Sequence, residues 1–433
     1  MTSLKRERFS WCLFDFANSA FNTIVLTFVY AAFFKKGLVI DEARADVLWA
    51  RALAIIGLSV ALLSPVIGVI ADRTGNKKRF LVIFASMVVV ATALLFFPAP
   101  SGGRASDGVI YSALALVIIA SISFELMFVF YNAFLPGLGD ASTVGRLSGK
   151  GWALGYLGGL LCLVVCLGFV GKGFGPWLPA DDGLNIRATN LVVAAWLLLF
   201  GLPMFLWVKD RSSPPKQSVA APWSGAVRQV LRTIRSLRRY PDLLRLLVAR
   251  LFFNDALVAI MALSALYMVE TIKMSGEDII LTGIWLNVVA GLGAYAFGHV
   301  DDRIGAKTTL VWSLFFLIGG VALAMARPDR TSFLIAATLI GLGMGPNQSS
   351  SRTLMVRFIV PQRSGEFFGL FELSGKASIW ISPLLFSLIR DFGGSQRQAM
   401  IPLLVMFGIG LFVVLFIDEK RGSQEMVSSS EST

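Results

Sequence analysis

Twelve stretches, each long and apolar enough to cross a bilayer, take up most of this 433-residue chain. A spanning helix needs about 20 mostly apolar residues. The stretches are 9–34, 47–70, 79–97, 109–135, 150–170, 188–208, 243–269, 279–297, 308–325, 331–358, 366–389 and 399–417. No single soluble core could bury all of them. Composition agrees: 56% of residues are hydrophobic and 15% charged, against about 25% charged in soluble proteins. Mean hydropathy is +0.72. A disordered chain, a disulfide scaffold and most cytosolic enzymes are excluded. The expected fold class is an all-α membrane protein with twelve transmembrane helices.

The net charge of +12 has to be located before it is interpreted. With the N-terminus inside, the cytoplasmic segments hold 24 Lys and Arg and the opposite side 11. This asymmetry places both termini in the cytoplasm. The basic excess therefore reads as topology, and nucleic acid is discarded as a partner. Lys5, Arg6 and Arg8 precede an apolar run too long for a signal-peptide core, so the run reads as a retained first helix. The expected location is a bacterial cytoplasmic (inner) membrane, with the protein a monomer.

Connections are short except between helices six and seven. The chain divides into a six-helix half, 1–208, a basic linker, 209–242, a second six-helix half, 243–417, and a tail, 418–433, expected to be disordered. The linker opens with Ser212-Ser213-Pro214-Pro215. It continues into an expected amphipathic helix over 223–240. Trp223, Val227, Val230, Leu231, Ile234 and Leu237 form one face, and Arg228, Arg232, Arg235, Arg238 and Arg239 the other. Such a helix suits a membrane surface with anionic headgroups. A plain tether between the halves is the alternative.

The halves repeat. Gly68-x-x-x-Asp72-Arg73-x-Gly75-x-Lys77 follows helix two, and Gly298-x-x-x-Asp302-Arg303-x-Gly305-x-Lys307 follows helix eight, 230 residues on. Ser148-Gly149-Lys150 on helix five also matches Ser374-Gly375-Lys376 on helix eleven, at an offset of 226. Two parallel repeats related by an axis along the membrane normal define a transporter architecture with its site near the midplane.

The doubled Gly-x-x-x-Asp-Arg-x-Gly-x-Lys pattern resembles the cytoplasmic loop signature of the major facilitator superfamily. Asp15-Phe16-Ala17-Asn18-Ser19-Ala20-Phe21 resembles a signature of the unknown-major-facilitator family, which includes the fungal vacuolar amino-acid effluxers. So do Tyr131-Asn132-Ala133-Phe134-Leu135-Pro136, Gly151-Trp152-Ala153-Leu154-Gly155-Tyr156 and Gly365-Glu366-Phe367-Phe368-Gly369. The resemblance spans both halves. It implies the twelve-helix major facilitator fold, with helices one, four, seven and ten lining a central cavity.

Ionisable groups inside hydrocarbon cost on the order of 2.5–3.5 kcal/mol each, so each needs a reason. Asp15, Asn18 and Asn22 form a polar stripe on helix one. Glu125 lies mid-helix in helix four with no basic residue within one turn, and Asn132 follows on the same face. Asn254 and Asp255 lie in helix seven, and Asn347, Gln348 and Arg352 in helix ten. Glu372 and Lys376 are four apart on helix eleven, spaced for an ion pair. These are the expected substrate-binding or coupling residues; Glu125 is the first candidate for carrying a proton, since desolvation favours its neutral form. Asp72, Arg73, Asp302 and Arg303 are expected to gate through salt bridges and helix-end contacts.

Enzyme signatures fail. Gly145 to Lys150 is one residue short of a phosphate loop, and Leu370 stands where Gly375-Lys376 would need a first glycine. Gly341-x-Gly343-x-Gly345 lies in a membrane helix. His299 has no second histidine, and Cys12, Cys162 and Cys166 lie in apolar segments, so neither a metal site nor a cofactor is expected. The reading is a secondary transporter working by alternating access, coupled to protons and exporting a small metabolite, with amino acids implied by the resemblance. Two alternatives stay open: a lipid, lysolipid or drug transporter of the same fold, and a non-transporting membrane sensor or scaffold.

Overall fold

The computed structural model describes residues 3–39, 41–102, 105–171, 178–211 and 223–424. The start of the linker at Ser212–Pro215 and the end of the tail, 425–433, lie outside them. All twelve expected segments are helical. In chain order they are α1 (Ser3–Val39), α2 (Glu42–Thr74), α3 (Lys77–Leu94), α4 (Asp107–Ala133), α5 (Val144–Val170) and α6 (Leu184–Trp207). Then come α7 (Pro241–Glu270), α8 (Gly276–Ile304), α9 (Ala306–Ala326), α10 (Arg330–Arg357), α11 (Ser364–Lys376 with Ile381–Asp391) and α12 (Ile401–Leu415). A linker helix, Trp223–Ser236, lies between α6 and α7.

Among the described residues, nine helices are long and apolar enough on their own to cross a membrane. The other three have visible reasons to fall short. The 18-residue α3 opens with Lys77-Lys78-Arg79. Asn347 and Gln348 break the apolar run of α10. The third, α11, is not the single helix expected over 366–389: it stops at Lys376 and restarts at Ile381. Pro383 explains this, because it has no N–H to give and its ring would clash with the carbonyl four residues back. It sits instead in the first turn of the second piece, where proline is tolerated.

The first helix also departs from regularity. It passes through π-helical stretches at Phe21–Phe28 and Phe34–Val39. Val29 donates its N–H to the Ile24 carbonyl, five residues back, at 3.0 Å, and the Thr27 hydroxyl bonds Asn22 in the same spacing. Such bulges within α-helices are frequent at functional sites.

The chain forms two compact units. One comprises Met1–Val60, Asn76–Tyr131 and Leu154–Asp210, the other Ala61–Gly75, Asn132–Ala153 and Arg211–Thr433. Thus α2, α4 and α5 each contribute to both. In the first unit, Trp11 and Tyr131 stack with ring centroids 4.5 Å apart, and each hydrogen-bonds the other's backbone carbonyl. Helices α1 and α5 approach so closely that a Cβ on Gly158 would lie 2.1 Å from the Phe16 carbonyl oxygen. In the second unit, Gly345 of α10 meets α8 in the same manner at Ala290.

Corresponding helix ends are tied in equivalent ways in the two units. Buried Glu7 accepts the Lys209 N–H after α6, and buried Asp242 accepts the Asp418 N–H after α12. Lys78 gives its ammonium to the Val208 carbonyl while its N–H meets Asp210. Lys307 does the same with Leu415 and Glu419.

Candidate functional site

The doubled signature residues build two matching helix crossings, both inside the second unit. On α2, Ser64, Gly68 and Asp72 are spaced by four and share one face. They meet Gly365 and Gly369 on α11. A Cβ on Gly68 would lie 2.2 Å from the Gly365 carbonyl oxygen, and one on Gly369 2.4 Å from that of Ser64. Only glycine permits this approach. At its end the Asp72 carboxylate accepts the N–H groups of Gly365 at 3.0 Å and Glu366 at 2.7 Å. These are orphan donors at the first turn of α11, where the helix dipole favours an anion.

On α8, Ala294, Gly298 and Asp302 make the same row against Gly145 and Gly149 of α5. A Cβ on Gly149 would lie 2.3 Å from the Ala294 carbonyl oxygen. Asp302 accepts the N–H of Gly145 at 2.8 Å and that of Arg146 at 3.1 Å, and pairs with the Arg146 guanidinium at 2.8 Å. Gly145 and Gly149 therefore correspond to Gly365 and Gly369, an offset of 220. This corrects the expected alignment of Ser148-Gly149-Lys150 with Ser374-Gly375-Lys376. The latter triplet ends the first piece of α11, whereas the former lies in the opening turns of α5.

Arg352 of α10 is 1% exposed. It donates to the Ser148 hydroxyl at 2.9 Å, the Ser148 carbonyl at 2.7 Å and the Asn132 side-chain oxygen at 3.2 Å. Its guanidinium also lies over the Trp152 ring, 5.5 Å from the centroid. The Ser148 hydroxyl donates in turn to the Ser349 carbonyl. One buried cation thus ties α10 to the end of α4 and the start of α5. Nearby, Ser350 donates to Asp301 at 2.9 Å and Asn347 donates to Ser313 at 3.2 Å.

Glu366 is fully buried and collects donors from three directions. Gln229 donates at 2.9 Å, Arg363 at 3.0 Å, and the Thr233 hydroxyl also donates to it. Gln229 accepts from Arg73 of the signature at 2.7 Å. The linker helix is therefore bonded to both partners of the α2–α11 crossing. The face it presents differs from the expected one. Ala226, Val230, Thr233 and Leu237 are buried, while Trp223, Leu231 and Ile234 are exposed. Polar Gln229 and Thr233 outrank larger apolar neighbours here because Glu366 and Arg73 need partners.

Several other predicted residues form a second group on α7 and α11. The Asn254 amide donates to the Gly375 carbonyl at 2.7 Å. Glu372 lies 3.7 Å from Arg250, whose guanidinium stacks on Phe371 at 3.6 Å. Arg250 of α7 is thus an ion-pair partner of Glu372, and Lys376, four residues on along α11, is half-buried. Asp255 accepts the Ser382 N–H at 3.0 Å and the Ser382 hydroxyl, capping the second piece of α11 across its break. Gln348 is half-buried and Arg303 exposed.

In the first unit, Asp15 and Asn18 are buried and bond each other at 3.4 Å, Asn22 is exposed at the start of the π-helical stretch, and Glu125 is half-buried. Among the described residues, no group of three or more His, Cys, Asp or Glu could hold a metal. The sequence reasoning passed over Glu366, Arg250, Ser148, Gln229 and Thr233 as site residues. Arg250 was recoverable as a lone cation in an apolar segment; the hydroxyl and amide partners carry no such signal.

Comparison with known proteins agrees with this architecture. The chain aligns over 426 residues with the uncharacterized MFS-type transporter YxiO of Bacillus subtilis at 26% identity, covering 98% of this chain and 97% of the relative. It aligns with autophagy-related protein 22 of Saccharomyces cerevisiae at 23% identity over 84% of this chain and 76% of the relative. The match to autophagy-related protein 22-1 of Neosartorya fischeri, at 23% identity, covers 65% of this chain but spans only about half, 49%, of that relative. Among solved structures, the proton:xylose symporter XylE superposes with a TM-score of 0.75 at 15% identity over 99% of both chains. The human organic anion transporter MFSD10 gives 0.73 at 15% identity, covering 96% of this chain and all of the other. At these identities the superpositions establish the fold alone. Residues 45–427 match the family described as vacuole effluxer Atg22-like, and the chain belongs to that family of major facilitator transporters.

Proposed function

We propose that the chain is a secondary transporter that works by alternating access, coupled to protons, and exports a small zwitterionic metabolite such as an amino acid across a bacterial inner membrane. The observation that carries this reading is the pair of matched crossings at Asp72 and Asp302. Each is a helix-end clasp that comes apart as a unit, so the two form a gate with two discrete states, as alternating access requires. The crossings lie beside the basic loops, which the charge asymmetry assigns to the cytoplasm. The state described here then has its cytoplasmic gate closed.

Arg250 and Glu372 support the substrate class. Opposite charges 3.7 Å apart, beside the amide of Asn254, offer one partner to a carboxylate and one to an ammonium. The description of the family as vacuole effluxer Atg22-like supports efflux as the direction. Purified protein in liposomes with an imposed pH gradient tests the proposal. Accumulation of labelled amino acids that collapses with the gradient is the expected result. Flux of lysolipid but not amino acids would favour the lipid reading. No flux of any solute in any gradient would sink the transporter reading for this chain.

A further inference from the structure

The linker helix carries two functional faces, and the second has no protein partner within the described fold. Its inner row, Ala226, Gln229, Val230 and Thr233, packs onto the α2–α11 crossing. Its outer row keeps Trp223 and Leu231 each 51% exposed and Ile234 41% exposed. The side chains of Arg228, Arg232, Arg235, Arg238 and Arg239 are exposed as well. A single turn, Leu237–Arg239, and Tyr240 separate this helix from Pro241, the first residue of spanning helix α7. It is therefore held at the level where a spanning segment leaves the bilayer. An exposed tryptophan and two large aliphatic residues bordered by five arginines are complementary to a surface of anionic headgroups over acyl chains.

We propose that this helix is a lipid-reading latch on the gate. Its outer row binds anionic phospholipid headgroups of the leaflet it faces, and in that pose its inner row holds Glu366 and Arg73. The two contacts are compatible because they use different faces of one helix. Anionic lipid then stabilises the docked helix and, through it, the closed crossing. A ligand shifts a two-state equilibrium only by its differential affinity for the two states. Here the difference arises because Gln229 bonds Arg73 of α2 and Glu366 of α11 together, a bridge that exists only while the two helices are crossed. The inference rests on the gate assignment above but adds its regulator.

The test uses the full chain with spin labels at Ser142→Cys and Gln362→Cys, both exposed and both in the second unit. Distance distributions are compared in nanodiscs of phosphatidylcholine and of phosphatidylcholine with phosphatidylglycerol. The anionic bilayer should raise the closed population by about threefold or more, an effect that fades with salt. The double variant Leu231→Glu/Ile234→Glu, confined to the exposed row, should behave in both bilayers as the unaltered chain does in phosphatidylcholine. Gln229→Ala/Thr233→Val should keep the arginines but lose the lipid response. Equal distributions in the two bilayers would overturn the proposal, as would an unaltered response in either double variant. Inorganic phosphate reproducing the effect in phosphatidylcholine would overturn the lipid as its source. Distances report the latch whether or not solute is moved. Failure of the transport assay and failure of the latch are therefore separate results.

Discussion

The Asp72 carboxylate and the Glu366 backbone meet at 2.7 Å, while the Glu366 carboxylate points the other way into Gln229, Thr233 and Arg363. One residue thus joins the signature of α2 to the linker helix. In the matching crossing its place is taken by Arg146, whose side chain folds back onto Asp302 itself. The two clasps share a backbone geometry and differ in charge. The Asp302 clasp is tied to Arg146 and, at 3.9 Å, to Arg357 of α10, both on spanning helices, whereas the Asp72 clasp delivers a buried carboxylate to the linker, an element outside the twelve helices. A clasp that needs an outside partner is one that can be regulated.

Substituting Asp72 by Asn tests the clasp. The amide keeps an acceptor oxygen but loses the charge that the first turn of α11 favours. A hydrogen bond to a charged group contributes roughly 1.5–3 kcal/mol, so losing the charge should shift the gate equilibrium by about tenfold toward open. The protein should remain folded and inserted, with substrate binding retained and turnover reduced. Asp302→Asn should act similarly and, sharing no partners with Asp72, nearly additively. Equilibrium binding beside single-turnover flux reads the outcome; collapse of binding with normal turnover would remove both residues from the gate.

Glycine substitutions give a sharper contrast. Gly68→Ala places a methyl 2.2 Å from the Gly365 carbonyl oxygen, backbone against backbone, and the crossing has to widen. Gly319, inside α9, has nothing within 4 Å of an added Cβ. Gly319→Ala should therefore stabilise by about 0.5–1 kcal/mol through helix propensity alone. In detergent, melting temperature should rise slightly for Gly319→Ala. For Gly68→Ala the closed-gate population should fall several-fold. A Gly68→Ala protein with an unchanged gate equilibrium would mean the crossing is not part of the gate.

The twelve helices were legible because hydrocarbon leaves few ways to satisfy a backbone, and the doubled Asp-Arg signature was legible because its spacing survives duplication. The break in α11 was written in Ser382-Pro383 but was masked by the apolar residues around it. Helical spacing sees only its own helix, so it offers Lys376 to Glu372 but not Arg250, which reaches Glu372 from α7. The linker helix was legible as amphipathic, but not its docked face. Gln229 and Thr233 turn inward for Glu366, a residue some 130 positions away that sequence periodicity does not connect to them.

Arg352 should tolerate no conservative exchange. Its planar fork serves the Ser148 hydroxyl, the Ser148 carbonyl and Asn132 at once, which an ammonium cannot reproduce. Arg352→Lys leaves buried acceptors short of donors and should cost about 2–4 kcal/mol. Ser148→Ala should cost less, since the Ser148 carbonyl remains as an acceptor. Thermal denaturation of the two variants should show this ranking, and equal melting temperatures would refute it.

Orientation is checked with a cysteine at Ser218, which lies outside the described residues. The native cysteines Cys12, Cys162 and Cys166 are all buried, so they give little background. With 24 Lys and Arg on the linker's side and 11 on the other, Ser218→Cys should not react with impermeant thiol reagents added outside intact cells. It should react in inverted vesicles. Labelling from outside would reverse the inside and outside assignments, including the leaflet that the latch reads.

The proton carrier is the last assignment to separate from structural look-alikes. Glu125 lies 18 residues into the 27-residue α4, about 27 Å along it at 1.5 Å per residue, and is half-buried. Asp255 is wholly buried, but its carboxylate is committed to the N–H and hydroxyl of Ser382 at the restart of α11. Asp255→Asn should therefore weaken that cap, costing on the order of 1–2 kcal/mol in stability. It should lower the melting temperature without uncoupling flux from protons. Glu125→Gln mimics a permanently protonated acid. It should abolish accumulation driven by a pH gradient yet keep substrate exchange at equal pH on both sides. If Glu125→Gln still accumulates substrate against a gradient, it is not the coupling site. If Asp255→Asn is the variant that exchanges but cannot accumulate, the roles are reversed, and the cap on α11 is itself the element that protons move.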